Sequence, residues 1–189
     1  MHTNRIVHLH PIGRTQDLSS GTPRLFMEPV THLHIPELER ILRNENVYRH
    51  IGGVPSSADF HLGTERAIAG PPDNRSTEVW LNFATRLKSA NELIGRLEAS
   101  IHDGIAEVAF LFSPNTWGNG YASEGLLWLH AQLESRTEPP TLWATTIPEN
   151  VRSRALLSRC GYVQVSPEHS PNLLTYDGGD LVFMLPRAT

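Results

Sequence analysis

The sequence predicts an α/β (α+β) domain in which strands and helices alternate along one chain. The strongest strand signal is an apolar run from Ile105 to Phe112. A Gly-rich turn at residues 117–125 follows it directly, and a helical pattern of leucines follows the turn. Because residues 105–112 are apolar on both faces apart from Glu107, we expect this strand to lie at the centre of a sheet that is covered on both sides.

The other elements are predicted from hydrophobic periodicity and from the Gly and Pro residues that interrupt it. The predicted order, β-α-α-β-β-β-α-β-α-β-β, contains about seven strands and about four helices. The predicted strands are 24–31, 78–87, 93–100, 105–112, 141–147, 162–165 and 180–185, and the predicted helices are 37–44, 57–68, 122–136 and 151–160.

Composition limits the class of protein. The 189 residues are 39% hydrophobic and 19% charged, which suits one globular domain. We place this domain at residues 23–186, after a polar segment at 1–22. The net charge of −4 argues against nucleic acid as the main ligand. The single cysteine, Cys160, excludes an internal disulfide and fits a reducing cytoplasm, and we expect no secretion signal and no membrane span.

Two pairs of histidines could suggest a metal site. They are His8-x-His10 and His32-x-His34. This spacing is not specific for a metal ion. We therefore expect packed or solvated histidines and no metal.

The Gly-rich turn from Trp117 to Gly125 leads from the apolar strand into a helix. Such a turn can bind an anion, because the first N–H groups of a helix are unpaired and glycine allows a phosphate to approach the backbone. A P-loop would need Gly-Lys-Ser/Thr, which is absent. A dinucleotide-binding turn would need a third glycine where Ser123 stands. A tight turn without a ligand is the remaining alternative.

The turn also resembles the pyrophosphate loop of the GNAT acetyltransferases. The resemblance is to the subgroup of ribosomal-protein N-terminal (Rim-like) acetyltransferases, whose usual form is Trp-Gly-Lys-Gly-Tyr-Ala-x-Glu-Ala. Asn119 replaces the common Lys, and Gly125 replaces the common Ala. The other stretches that match this subgroup are Leu93–Arg96, Ala106–Val108, Asn150–Ser153 and Cys160–Tyr162. The resemblance implies a GNAT-like mixed, mostly antiparallel sheet of about seven strands with about four helices on both faces.

The resemblance further implies acetyl-CoA as the cofactor. The backbone of the turn would hold its pyrophosphate, and the pantetheine arm would lie along Phe110–Phe112. We expect the N–H of Leu111 to polarise the thioester carbonyl, and Asn150 to bond the pantetheine amides. The predicted cofactor-binding residues are Phe110, Leu111, Phe112, Trp117, Gly118, Asn119, Gly120, Tyr121, Ala122, Ser123, Asn150 and Arg154.

Two residues are predicted to be catalytic. Glu107 is the candidate base, because we expect burial in an apolar strand to raise its pKa. A structural ion pair with an arginine such as Arg96, or orientation of the acceptor ammonium, stays open for Glu107. The resemblance implies that Ser153 bonds the departing sulfur, and a place in a helix N-terminus capped by Asn150 is its alternative. Direct attack needs no nucleophile, so we expect Cys160 to be a packing residue.

The predicted activity is transfer of an acetyl group from acetyl-CoA to a primary amine. The acceptor would be a small molecule or a peptide or protein N-terminus. The helices after the first strand, which carry the acceptor-side walls in this family, match nothing specific. Two alternatives stay open: a non-catalytic CoA-binding module, and a toxin-type acetyltransferase that acts on aminoacyl-tRNA. A homodimer is open as well.

Overall fold

The computed structural model describes residues 21–187. Its strands form one seven-stranded sheet in the order β1-β2-β3-β4-β5-β7-β6. Neighbouring strands are antiparallel, except β4 and β5, which are parallel. The strands are β1 Leu25–Pro29, β2 Val79–Leu87, β3 Glu92–His102, β4 Ile105–Phe112, β5 Thr141–Thr146, β6 Val163–Val165 and β7 Leu181–Leu185. The prediction of a mixed, mostly antiparallel sheet of about seven strands is confirmed.

Five helices are found among the described residues, one more than expected. They are α1 Ile35–Leu42, α2 Glu45–Tyr48, α3 Ser57–Ala69, α4 Tyr121–Glu134 and α5 Val151–Arg159. The additional helix is α2, whose N-cap Asn44 accepts a hydrogen bond from the N–H of Asn46 at 2.9 Å. Because α2 has a single turn, it is too short to show a hydrophobic period.

The central position of β4 is also as predicted. One face of β4, with Ala106 and Phe112, packs on leucines of α4 and α5. On the opposite face, Leu111 packs against the cluster formed with α1 and α3. Ala109 is the exposed residue of β4. This small side chain leaves the middle of the strand open on the α1 and α3 side.

The two parallel strands separate after a short contact. They pair at Ile105–Thr141, Ala106–Leu142 and Glu107–Trp143, and no further. Yet β4 continues to Phe112, and β5 continues to Thr146. A gap therefore opens between β4 and β5 beyond Glu107, at the end of β4 that leads into the Gly-rich turn.

Candidate active site

Alternate residues of β4 direct their backbone N–H and C=O groups into the gap. Ser113 donates its N–H to the carbonyl of Ile94 on β3 at 2.8 Å, and the β3–β4 register is unbroken. Antiparallel pairs alternate along a ladder, so the odd-numbered residues of β4 direct their N–H and C=O groups to β3. Phe110 and Phe112 consequently direct theirs away from β3 and into the gap.

The prediction for the backbone of Leu111 is wrong for this reason. Leu111 lies opposite Arg96 in a hydrogen-bonded pair, so its N–H is directed to β3. The carbonyl of Phe112 accepts the indole N–H of Trp117 at 2.8 Å. Phe110 therefore presents both of its backbone groups at the gap and is the residue best placed to polarise a carbonyl there.

The Gly-rich turn forms a cradle of N–H groups at the start of α4. Gly118 and Gly120 have φ angles of +80° and +77°, which residues with a side chain rarely adopt, and Gly120 is the N-cap of α4. No described residue accepts a hydrogen bond from the backbone N–H groups of residues 118–123. These groups and the helix dipole favour an anion at this point.

Arg24, which directly precedes β1, is held beside the turn by hydrogen bonds. Arg24 donates through Nε to Glu124 at 2.6 Å and through Nη1 to the carbonyl of Asn119 at 3.0 Å. Its guanidinium also lies 4.7 Å from the centre of the Tyr121 ring. Burial raises the pKa of Glu124, but hydrogen bonds from Thr22 and Arg24 outweigh burial and lower it. Glu124 is thus a charged anchor that orients Arg24.

A second arginine also contacts the turn. The guanidinium of Arg152 is 4.3 Å from the centre of the Trp117 ring. Sequence reasoning missed both residues. Arg24 lies outside the matching stretches, Arg152 occupies an unspecified position of the stretch Asn150–Ser153, and the fold alone brings them to the turn. The predicted Arg154 instead donates to the carbonyl of Pro148 at 3.0 Å, which holds it at the start of α5.

The start of α5 is capped as the sequence indicated. Oδ1 of Asn150 accepts the N–H of Ser153 at 3.2 Å. This bond leaves the amide NH₂ of Asn150 as a donor. The Ser153 side chain is partly buried, and its hydroxyl has no partner within residues 21–187.

Glu107 has a different environment from the one predicted. It is 3% exposed, and its carboxylate accepts hydrogen bonds from His102 Nε2 at 2.7 Å, from the N–H of Leu174 at 2.7 Å, and from the N–H and hydroxyl of Thr175. Burial raises the pKa of Glu107, but these hydrogen bonds outweigh burial and lower it. The expected raised pKa is therefore wrong. The ion pair with Arg96 is wrong too, because Arg96 pairs with Glu98.

The remaining predicted groups have structural partners. His34 accepts the N–H of Thr31 at 2.9 Å through Nδ1, and its Nε2 lies 3.1 Å from Glu28. His8 and His10 lie outside the described residues. In residues 21–187, no group of three or more His, Cys, Asp or Glu is arranged to hold a metal ion. Cys160 is buried, and burial raises the pKa of its thiol.

The family of the chain follows from a sequence comparison. A family model described as the acetyltransferase (GNAT) domain matches residues 24–163. The chain belongs to the GNAT acetyltransferase family. The predicted family, the predicted acyltransferase activity and acetyl-CoA as the cofactor are thereby confirmed. No helix of the described residues is long and apolar enough to cross a membrane.

Solved structures share the fold of this GNAT domain. An acetyltransferase from Agrobacterium tumefaciens is 21% identical, with a TM-score of 0.70 over 88% of this chain and 92% of that one. An acetyl transferase from Salmonella typhimurium, which modifies the N-terminal serine of 50S ribosomal subunit protein L7/L12, is 17% identical, with a TM-score of 0.69 over 86% and 94%. A ribosomal L7/L12 α-N-protein acetyltransferase in complex with coenzyme A is 16% identical, with a TM-score of 0.70 over 88% and 95%. No curated protein matches the sequence.

Proposed function

We propose that this GNAT domain is an N-acetyltransferase that transfers the acetyl group of acetyl-CoA to a primary amine of a small molecule, or of a peptide or protein N-terminus, by direct attack. The gap between β4 and β5, which opens beside a turn of unpaired N–H groups, carries the proposal. The gap offers backbone groups that are not paired across the sheet, and the turn beside it offers an anion site.

The residues of the site fit coenzyme A. The N–H groups of residues 118–123 would meet the pyrophosphate, with Arg24 and Arg152 supplying positive charge beside the turn. The backbone of Phe110 and the amide of Asn150 would meet the amide groups of the pantetheine arm. Arg154 stays a predicted phosphate ligand, although its bond to the carbonyl of Pro148 holds it at the start of α5.

The chemistry needs a polarised carbonyl and a stabilised leaving group. Bound acetyl-CoA supplies the activated acetyl group as a thioester. The N–H of Phe110 would donate to the oxygen of that acetyl group. The hydroxyl of Ser153, which has no partner among the described residues, would donate to the sulfur. In this step the amine nitrogen forms a bond to the acetyl carbon, and the bond from carbon to sulfur breaks.

The role of Glu107 follows from its hydrogen bonds. A carboxylate with four donors and a lowered pKa is a weak base. We therefore propose that Glu107 is a positioning residue that holds Leu174 and Thr175 against β4. The proton lost by the acceptor amine would then pass to water.

Two measurements test the proposed function. Calorimetry should show that the purified protein binds CoA and acetyl-CoA with a Kd in the micromolar range, and NADH and ATP far more weakly. Detection of released thiol should then show turnover of acetyl-CoA with at least one member of a panel of primary amines. Binding without turnover of any amine would indicate a CoA-binding module, and turnover with aminoacyl-tRNA alone would indicate the toxin-type activity.

Two further assignments belong to this proposal. We assign the protein to the cytoplasm, on the argument that a single cysteine suits a reducing compartment. A homodimer stays a prediction, which light scattering on the purified protein tests directly.

A further inference from the structure

A cleft of about 310 Å³ lies on the sheet face opposite α4 and α5. It is bounded by α3 on one side and by β2 and β3 on the other. The lining residues that matter here are Arg66 from α3, Trp80 from β2, and Arg96 and Glu98 from β3. A volume of this size suits a ligand as large as an amino acid or a dipeptide.

The cleft lies beside the open part of β4. Glu98 lies opposite Ala109, which is the exposed residue of that strand. The next residue of β4 is Phe110, whose N–H is directed into the gap. A molecule in the cleft that reaches past Glu98 and over Ala109 would therefore arrive where the proposed function places the acetyl group.

One carboxylate oxygen of Glu98 has no hydrogen-bond partner among the described residues. Both nitrogens of Arg96 that contact it, Nε and Nη2, lie at the same oxygen, Oε1. No described residue bonds to Oε2, and the Glu98 side chain is 27% exposed. A carboxylate oxygen in this position can accept a hydrogen bond from an ammonium group. Burial, the largest cause, raises the pKa of Tyr48 on α2. The charges of Arg96 and Glu98 also act on this pKa, so Tyr48 lies near the pair.

The cleft also contains a positive charge. Arg66 is exposed, and no described residue forms an ion pair with it. Because Glu98 compensates the charge of Arg96, Arg66 remains as the net positive charge of the cleft. This charge favours an acceptor with an anionic group and disfavours a polycation. The half-buried indole of Trp80 supplies apolar surface to the cleft.

We propose that this cleft binds the acetyl acceptor, and that the acceptor is an amine that also carries a carboxylate, of amino-acid or dipeptide size. Its ammonium group binds Oε2 of Glu98, and its carboxylate binds Arg66. This assignment rests on the function proposed above. The ammonium loses one proton to water before attack, the nitrogen forms its bond to carbon as the bond from carbon to sulfur breaks, and the second proton ends on the sulfur.

Substrate preference tests the assignment. The full chain is assayed for thiol release from acetyl-CoA with the common amino acids and a set of dipeptides, each beside its C-terminal amide, and with spermidine as a polycation. At least one acid should be acetylated with a kcat/KM ten-fold or more above that of its amide and of spermidine, since a charge-assisted pair is worth about a factor of ten or more. Amides or spermidine accepted equally well or better would overturn the assignment while leaving the N-acetyltransferase function intact.

Two variants test the proposed roles of Arg66 and Glu98 in binding the acceptor. Arg66→Ala should remove most of the preference for the acid, because it should lower the kcat/KM of the acid far more than that of the amide. Glu98→Gln should raise the acceptor KM ten-fold or more with unchanged CoA affinity. Arg136→Ala and Glu134→Gln, exposed residues at the end of α4, are the matched controls and should change neither quantity.

Three outcomes separate the two proposals. Unchanged acceptor KM in Glu98→Gln, or a preference for the acid that survives in Arg66→Ala, overturns the cleft as the acceptor site. If Glu98→Gln melts at a lower temperature, the Arg66→Ala result decides alone, because Arg66 has no partner whose loss would disturb the described fold. Binding of CoA without thiol release for any amine tested overturns the proposed function itself.

Discussion

Replacing Glu107 with Gln separates a structural role from a basic one. Each carboxylate oxygen accepts one backbone N–H: Oε1 that of Leu174 and Oε2 that of Thr175. The amide of Gln has one oxygen only, so in either orientation one of these N–H groups loses its acceptor. The bond from His102 also loses its charge assistance.

The expected loss of stability follows from these contacts. An unsatisfied backbone N–H costs about 1–3 kcal/mol, and the weaker remaining bonds cost about 1 kcal/mol more. We therefore expect Glu107→Gln to lower the free energy of unfolding by about 2–4 kcal/mol. For a domain of this size each kcal/mol shifts Tm by about 2–4 °C, so Tm should fall by about 4–16 °C. The control is Glu92→Gln, an exposed residue at the start of β3, which should shift Tm little.

The loss of stability in Glu107→Gln should depend on pH. The pKa of Glu107 is lowered from 4.5, so its contribution is present above pH 4.5 and is lost as the pH falls below it. Burial lowers the pKa of His102, but hydrogen bonds to Glu107 and Asp103 outweigh burial and raise it above 6.5. The contribution of His102 is therefore complete below pH 6.5 and is lost as the pH rises through the raised pKa. The difference in Tm between wild type and Glu107→Gln should be larger at about pH 5.5 than at about pH 8.5.

Thermal unfolding followed by circular dichroism measures these shifts, and kinetics with a turned-over amine complete the experiment. We expect kcat/KM at the optimum to fall less than ten-fold in the variant at a temperature where it is folded. An unchanged Tm, with a rate about 10²-fold lower that recovers at high pH, would refute this reasoning and restore Glu107 as the base.

Three further predictions concern cofactor binding and the leaving group. Gly120→Asp should abolish CoA binding in calorimetry, whereas Gly120→Asn, which tolerates the positive φ of 77° without adding charge, should retain measurable binding; equal loss in both would assign the effect to backbone strain. Ser153→Ala should lower kcat about ten-fold or more with CoA affinity unchanged, and the exposed Ser158→Ala is its control; an unchanged kcat would limit Ser153 to the helix terminus. Arg152→Ala should weaken CoA binding several-fold at low salt and less at high salt; equal weakening at both would indicate lost packing on Trp117 and no contact with phosphate.

The local features of this protein were predictable from the sequence. The apolar run Ile105–Phe112 indicated the central strand, because a strand buried on both faces cannot alternate with polar residues. Gly118 and Gly120 indicated the turn, since its positive φ angles exclude most side chains. Asn150 indicated the start of α5, because its short side chain can accept an N–H three residues later. Each of these signals lies within a few residues of the structure that it specifies.

The tertiary structure alone decided the chemistry around these features. Whether the N–H of Phe110 or that of Leu111 faces the gap depends on the parity of the β3–β4 register, which no local pattern expresses. Glu107 receives backbone donors from residues 67 and 68 positions later, and with His102 and the hydroxyl of Thr175 these donors reverse the pKa shift that burial alone would cause. Arg152 reaches the Gly-rich turn only because α5 packs beside it. Hydrogen bonds and charges act over a few ångströms in space, so their partners were undetermined until the chain was folded.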